Sequence, residues 1–273
     1  MAELVVRRLL IDPETSIERH WCAGDAFRSA FFNALSMSFP VGEQFFIDAV
    51  RRGLQMLPVE KQGQLSAEVQ RFIGQEATHR RIHDLFNGHL EKQGLINEWG
   101  PRVQQRAKLL EEVDPRHGLA VTSANEHFTV MLAEWLLRHH DLLDGSEPRL
   151  KTMWLWHCAE ESEHKSTAFD LYHALDGNHE WRITWFRRIT IIFLREVFFQ
   201  TLGNLKQDGT LWRWRTWKSA GSFLFGGQGL VRSTWKTWRE YFRRDFHPSQ
   251  LQSDLSQRWL ETNGANYKVV GAG

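Results

Sequence analysis

Apolar residues recur every three or four positions through most of the chain, broken by short polar stretches, and apolar–polar alternation of the strand kind is nearly absent. This is the pattern of an all-α protein. The first helical stretch opens at Asp25, a good capping residue, passes through SAFFNAL and GEQFFIDAVRRGLQML, and stops before Pro58. Pro40 lies inside it and removes a backbone donor, so a kink or a restart is expected there, with Gly42 loosening the same turn. A second helix is expected from Ser66 to Gln93 with Gly94 past its end. A third runs from Asp114 to Leu143, and a fourth from Glu147 to Leu175. Four long helices make a four-helix bundle.

The pattern changes after the turn signal Asp176-Gly177-Asn178. Segments 181–203, 212–218, 229–244 and 249–261 read as shorter amphipathic helices in which Trp and Phe are threaded by Arg and Lys. The residues after Thr262 are expected to be loose. The chain thus divides into an N-terminal segment (1–24), the bundle (25–177), a basic Trp-rich helical extension packed on it (178–263), and a tail (264–273).

Charge sharpens this division. The net charge of +1 conceals 19 Lys and Arg against 27 Asp and Glu in residues 1–180, and 13 against 4 in residues 181–246, which also hold 7 of the 13 Trp. Indole rings beside cations suit a bilayer interface, so residues 181–246 are expected to meet an anionic membrane surface or guide a lipid-like substrate. The plainer reading is that these Arg side chains pair with carboxylates on the acidic bundle. No nucleic-acid partner is expected, because no recognised binding motif is present.

Two Cys exclude a disulfide framework and a Cys-rich zinc module. The start, MAELVVRRLLIDPE, lacks an apolar h-region with a cleavage site, and no uncharged apolar run reaches roughly 18 residues. The expected location is cytoplasmic, peripheral to the inner membrane face if the extension binds lipid. No Gly-rich phosphate loop and no G-x-S-x-G is present.

Two segments carry chemistry: Glu76-Ala77-Thr78-His79 and Glu161-Ser162-Glu163-His164. Residues three apart share a helix face, so each pair can close on one metal ion. With 21 Glu and 13 His in 273 residues, about one such spacing arises by chance, and either pair alone could be a solvated face. Register is more telling. Glu43 precedes Glu76 by 33 residues and Glu126 precedes Glu161 by 35, the separation at which the arms of a helical hairpin return to one height. The same hairpin therefore occurs twice.

This arrangement resembles the di-iron or di-manganese site of ferritin-like bundles, with one Glu from each of two helices and Glu-x-x-His from the other two. Four carboxylates and two imidazoles would neutralise two divalent ions and leave positions open for dioxygen or water. The neighbours Phe45, Phe46, Phe72, Ile73, Phe128, Trp154 and Leu155 are apolar, as a dry site requires. His157 stands one turn before Glu161 and could be a third imidazole ligand, and His83 stands one turn after His79; each could instead be a supporting or core histidine. Glu160 could orient a ligand His, with Gln75 as its uncharged counterpart in the first half. Glu163, about 100° from Glu161 on the wheel, reads as a solvated position, and Cys158 as buried packing.

The segments FPVGEQFF, FIGQEATHRRIH, NEHFT, WLWHCAEESEHKSTAFDLYH and YFRRDFHP resemble those of the bacterial family of predicted metal-dependent hydrolases, grouped with the ferritin-like di-metal carboxylate proteins. The resemblance spans roughly residues 25 to 250. It implies metal bound by Glu43, Glu76, His79, Glu126, Glu161 and His164. The run His157-x3-Glu161-x2-His164 is also similar to di-iron arylamine N-oxygenases, which add a His to the ligand set, although Gln75 departs from the acidic residue common at its place.

The expected function is therefore an oxygen-activating di-iron oxidoreductase, a hydroxylase or N-oxygenase, acting on a hydrophobic acyl or aromatic small molecule. It would hold two iron ions, with manganese or zinc as alternatives, and take dioxygen as co-substrate. The alternatives are a di-metal hydrolase using metal-bound hydroxide and a non-catalytic metal-binding protein at the membrane surface. The electron donor stays open, as does assembly, a homodimer included.

Overall fold

The structure is a computed structural model, and it describes residues 4–271 apart from 13, 14 and 252. Residues 1–3 of the N-terminal segment and 272–273 of the tail lie outside the described residues.

The fold is an all-α bundle. Helix α1 (Ala26–Met56) is capped by Asp25, whose side chain accepts from Arg28 N at 2.9 Å. Pro40 neither ends nor restarts it. The proline cannot donate to Ser36 O four residues back, and side-chain amides from elsewhere take the carbonyls of that turn. Asn87 Nδ2 donates to Ser36 O at 2.9 Å, and Asn97 Nδ2 donates to Met37 O at 2.7 Å.

Helix α2 (Val59–Lys92) starts a full two turns before the expected Ser66. Pro58, extended at ψ 143°, turns the chain and already receives Lys61 N and Gln62 N at 2.9 and 3.1 Å. At its other end Gly94 adopts φ +84°, as a residue past a helix terminus does. The crossover that follows contains an unexpected helix, α3 (Trp99–Lys108).

Helix α4 (Pro115–Arg138) and helix α5 (Pro148–His164) are capped by Asp114 and Glu147 with proline in the first turn. α4 ends before Leu143, and residues 140–143 form a 3-10 turn instead. The expected fourth helix is broken after His164: α6 (Thr167–Ala174) resumes beyond Lys165-Ser166, where Lys165 Nζ reaches Leu251 O and Thr167 Oγ1 donates to Glu68 at 2.9 Å.

Asp176 (φ 57°) makes the turn into α7 (His179–Gln207), which Asn178 caps. Then come α8 (Trp214–Phe225), α9 (Leu230–Glu240) and α10 (Leu255–Thr262). The tail is not loose: strand β1 (Arg7–Leu9) pairs antiparallel with β2 (Tyr267–Val269), Arg7 opposite Val269. This ribbon ties both ends of the chain over α2. A Cβ at Gly74 on α2 would stand 2.5 Å from Val6 Cγ2, so glycine permits the segment to approach closely.

α1 packs on α2, α4 on α5, α1 on α4, and α2 on α5 and α6, closing the bundle. α7 lies against α1 and α4, α8 against α1, α9 against α4, and α10 against α5. The core is aromatic: Phe32, Phe31 and Phe27 of α1 meet Phe223 of α8, and Phe128 of α4 stacks on Phe193 of α7 at 4.9 Å.

Candidate metal centre

The structure brings Glu43 of α1, Glu76 and His79 of α2, Glu126 of α4, and His157, Glu161 and His164 of α5 together in the middle of the bundle, none more than 3% exposed. Ligand atoms of Glu43, Glu76 and His79 lie within 4.8 Å of one another, as do those of Glu76, Glu161 and His164, and of His79, His157 and Glu161. Glu43, His83 and His157 form a fourth such group. The first three could hold a metal ion as they stand, and the fourth only if the hydrogen bond between His83 and His157 opened. Glu126 joins through His164, whose Nε2 is 3.4 Å from an oxygen of Glu76, 3.4 Å from one of Glu126 and 3.5 Å from one of Glu161.

Burying four carboxylates together is costly unless a cation or protons compensate. Both oxygens of Glu43, Glu76 and Glu126, one oxygen of Glu161, His79 Nδ1 and His164 Nε2 have no hydrogen-bond partner. Buried polar atoms are rarely left this way, and here they converge on one point. The donor set fits divalent transition metals: carboxylates and imidazoles, the metal-facing nitrogens bare. Burial lifts Glu43 and Glu76 well above the usual carboxylate range and Glu126 to about 6. Glu161 goes the other way: burial opposes ionisation, but the charge of His164 holds it well below the ordinary value.

The imidazoles are aimed by partners on the far side. His164 Nδ1 is 2.9 Å from Gln75 Oε1, while Gln75 Nε2 donates to Val5 O and Glu163. The amide is thereby fixed as an acceptor toward His164, whose proton sits on Nδ1 and leaves Nε2 for the centre. His79 Nε2 is 2.9 Å from Glu160 Oε2, which leaves Nδ1 facing Glu161 Oε1 at 3.3 Å. Each residue preceding a Glu of the paired motifs thus serves the histidine of the opposite hairpin.

Glu160 is in turn held by Arg7 at 3.1 Å, and Arg7 bridges to Glu163 at 2.7 Å. Glu163 is therefore not a solvated position: the N-terminal strand covers that face of α5 and brings a cation to it.

His157 has its own chain of support. Asn87 donates Nδ2–H to Ser36 O, so its Oδ1 accepts the Ser36 hydroxyl at 2.8 Å. With that proton committed, Ser36 Oγ accepts from His83 Nδ1 at 2.9 Å. Burial pushes His83 well below its ordinary value and His157 down to about 4, so both rings are neutral. His83 Nε2 then accepts from His157 Nδ1 at 2.8 Å. His157 is left with a bare Nε2 lone pair 3.0 Å from Glu161 Oε1. Two acceptors at that distance require a cation or a proton between them. His83 spends both nitrogens in this chain and supports His157.

Aromatic faces enclose the rings: Phe39 stacks on His157 at 4.9 Å, Phe72 meets His164 edge-on at 4.9 Å, and Trp156 meets His79 at 5.0 Å. Cys158 is buried, and burial raises its thiol.

The profile of the family described as "Predicted metal-dependent hydrolase" matches residues 5–252. The chain belongs to that family. No curated protein and no solved structure matches it. In this member of the metal-dependent hydrolase family the match begins ahead of Arg7 and takes in the whole histidine and glutamate cluster, so strand β1 falls within the shared region.

Two cavities touch the centre. A small one of about 30 Å³ lies at His157 and Glu161. The other measures about 240 Å³ and runs from Glu43 between α1, α3, α4 and α7, lined by Phe45, Trp99, Phe128, Trp185, Ile189 and Phe193 among others. Arg7, Ser36, Asn87 and the cavity wall from α3 adjoin the centre without having stood out in the sequence. Arg7 has no local signal, and Asn87 acquires its role only because Pro40 frees the Ser36 carbonyl.

Proposed function

We propose that the chain is a di-metal enzyme whose centre holds two iron ions and oxidises a hydrophobic small molecule with dioxygen. The observation that carries this reading is the convergence of partnerless buried oxygens and nitrogens from Glu43, Glu76, His79, Glu126, Glu161 and His164, joined by the bare Nε2 of His157. Four carboxylates balance two divalent ions in charge. When bound, such ions supply a redox-active site for oxygen activation.

The residues of the chain do the rest. Gln75, Glu160 and His83 hold the imidazoles in one tautomer, so the donor atoms need not reorganise. Phe39, Phe72, Phe128, Trp154 and Trp156 exclude water. The cavity beside Glu43 offers apolar walls with Arg106 and Asn125 as polar points, which suits an acyl chain or an aromatic ring more than a polyanion.

A second reading, hydrolysis by metal-bound hydroxide, is favoured by the description of the family. Oxygen uptake separates the two. Reduced, iron-loaded protein should consume oxygen, and Glu76→Ala with Glu161→Ala should not. Hydrolysis of acyl esters by zinc- or manganese-loaded protein, with iron-loaded protein inert to oxygen, would select hydrolysis.

A further inference from the structure

The outer face of α7 is apolar and basic together. Arg187, Ile191, Leu194, Arg195, Phe198 and Phe199 recur at helical spacing, and Ile191 (69%), Leu194 (56%), Phe198 (52%) and Phe199 (53%) are exposed. The same arrangement occurs on α9, where exposed Trp235 stands with Arg232, Lys236 and Arg239 on one face. The two faces adjoin: Trp238 stacks on Trp235 at 4.9 Å and donates Nε1 to Thr190 of α7 at 3.2 Å, and the Arg187 guanidinium lies over Phe242 at 5.7 Å.

The cations do not pair with the bundle. Among the described residues, no acidic side chain lies within ion-pair distance of Arg187, Arg188, Arg195, Arg232, Lys236 or Arg239; the pairs made by residues 181–246 with partners of their own or of the bundle involve Glu196, Asp208, Arg243 and Arg244. The plainer reading of this region, Arg side chains neutralising bundle carboxylates, therefore does not account for these six.

We infer that the outer faces of α7 and α9 dock on the surface of an anionic bilayer. Charge selects the occupant: residues 181–246 carry 13 Lys and Arg against 4 Asp and Glu. A second copy meeting this face about a two-fold axis would set the same cations against one another. A nucleic acid would satisfy the cations and leave Ile191 and Leu194 in water. A bilayer takes both, cations at anionic headgroups and apolar side chains roughly 5–10 Å into the acyl boundary. No helix among the described residues is long and apolar enough to cross a membrane, so the contact is interfacial. The inner side of α7, through Ile189, Ile192 and Phe193, lines the cavity at Glu43, which places that cavity one helix diameter, roughly 10 Å, from the docked surface.

The test is sedimentation of the full chain with vesicles of phosphatidylcholine alone or mixed with phosphatidylglycerol, over a salt series. The protein should sediment with the anionic vesicles at least about tenfold more strongly than with neutral ones, and salt should weaken it. Arg195→Glu with Lys236→Glu should lower binding by about tenfold or more, as should Ile191→Ser with Leu194→Ser, with helical content and metal content unchanged. No sedimentation, equal sedimentation with neutral vesicles, or variants that bind like the parent would overturn the inference. So would a dimer in sedimentation velocity that these variants dissolve, since the face would then belong to a second copy.

Discussion

Gln75 Oε1 lies 2.9 Å from His164 Nδ1, so a residue of α2 sets which nitrogen of an α5 histidine faces the centre. Glu160 performs the reciprocal task for His79 at 2.9 Å. One partner is neutral and the other anionic, the latter held by Arg7.

Gln75→Leu should lower metal affinity about 10- to 100-fold, the usual cost of losing a partner that orients a ligand. Gln75→Glu keeps an acceptor for Nδ1 but turns its other oxygen toward Val5 O and Glu163, so it should also lose affinity, though less than Gln75→Leu. Competition with a chromophoric chelator measures both. Equal affinity in Gln75→Leu would mean that His164 is not oriented through this bond.

Ser36→Ala removes the hydroxyl that fixes His83, and His83→Ala removes the acceptor for His157 Nδ1. Both should leave the helical content intact while weakening metal binding, His83→Ala the more, since it frees the His157 ring to turn. Asn87→Leu acts on the fold as well: it leaves the Ser36 carbonyl without a donor, at a cost of about 1–3 kcal/mol. Denaturant melts separate the two kinds of effect.

The twofold hairpin was legible in the sequence because helical register is arithmetic: Glu43, Glu76, Glu126 and Glu161 reach one height in the structure as their spacing required. The helix starts at Asp25, Asp114 and Glu147 were legible through capping chemistry. The start of α2 was not, because Ser66 is an ordinary capping residue and the turn at Pro58 needs none. The contacts of Arg7, the β1–β2 ribbon and the partial burial of Glu163 depend on segments far apart in the chain meeting. No local pattern encodes a contact of 153 residues' separation such as Arg7 with Glu160.

Metal-free protein should lose stability as pH rises from about 7.5 to 9, above the range in which the unfolded chain still protonates histidines that the fold keeps neutral, such as His83 and His157. Burial opposes the charge of His79, but the hydrogen bond to Glu160 and the nearby carboxylate of Glu161 outweigh it and hold His79 up at about 9. His164 is raised as well, by Glu161 and Glu126 acting against burial, and burial raises Glu43 and Glu76. In this window the folded state holds more protons than the unfolded chain, so the derivative of stability with pH is negative. Metal displaces these protons, so loaded protein should lose this dependence, and metal affinity should itself rise with pH. Thermal melts across the window, with and without metal, check the sign.

If the two hairpins build one dinuclear centre, metal stoichiometry shows it most directly. Protein produced with iron available should carry two iron ions per chain, its optical spectrum should change on reduction and again in air, and Glu76→Ala with Glu161→Ala should stay helical and carry none. A parent protein that binds no metal, or a double variant that binds as much as the parent, would contradict it.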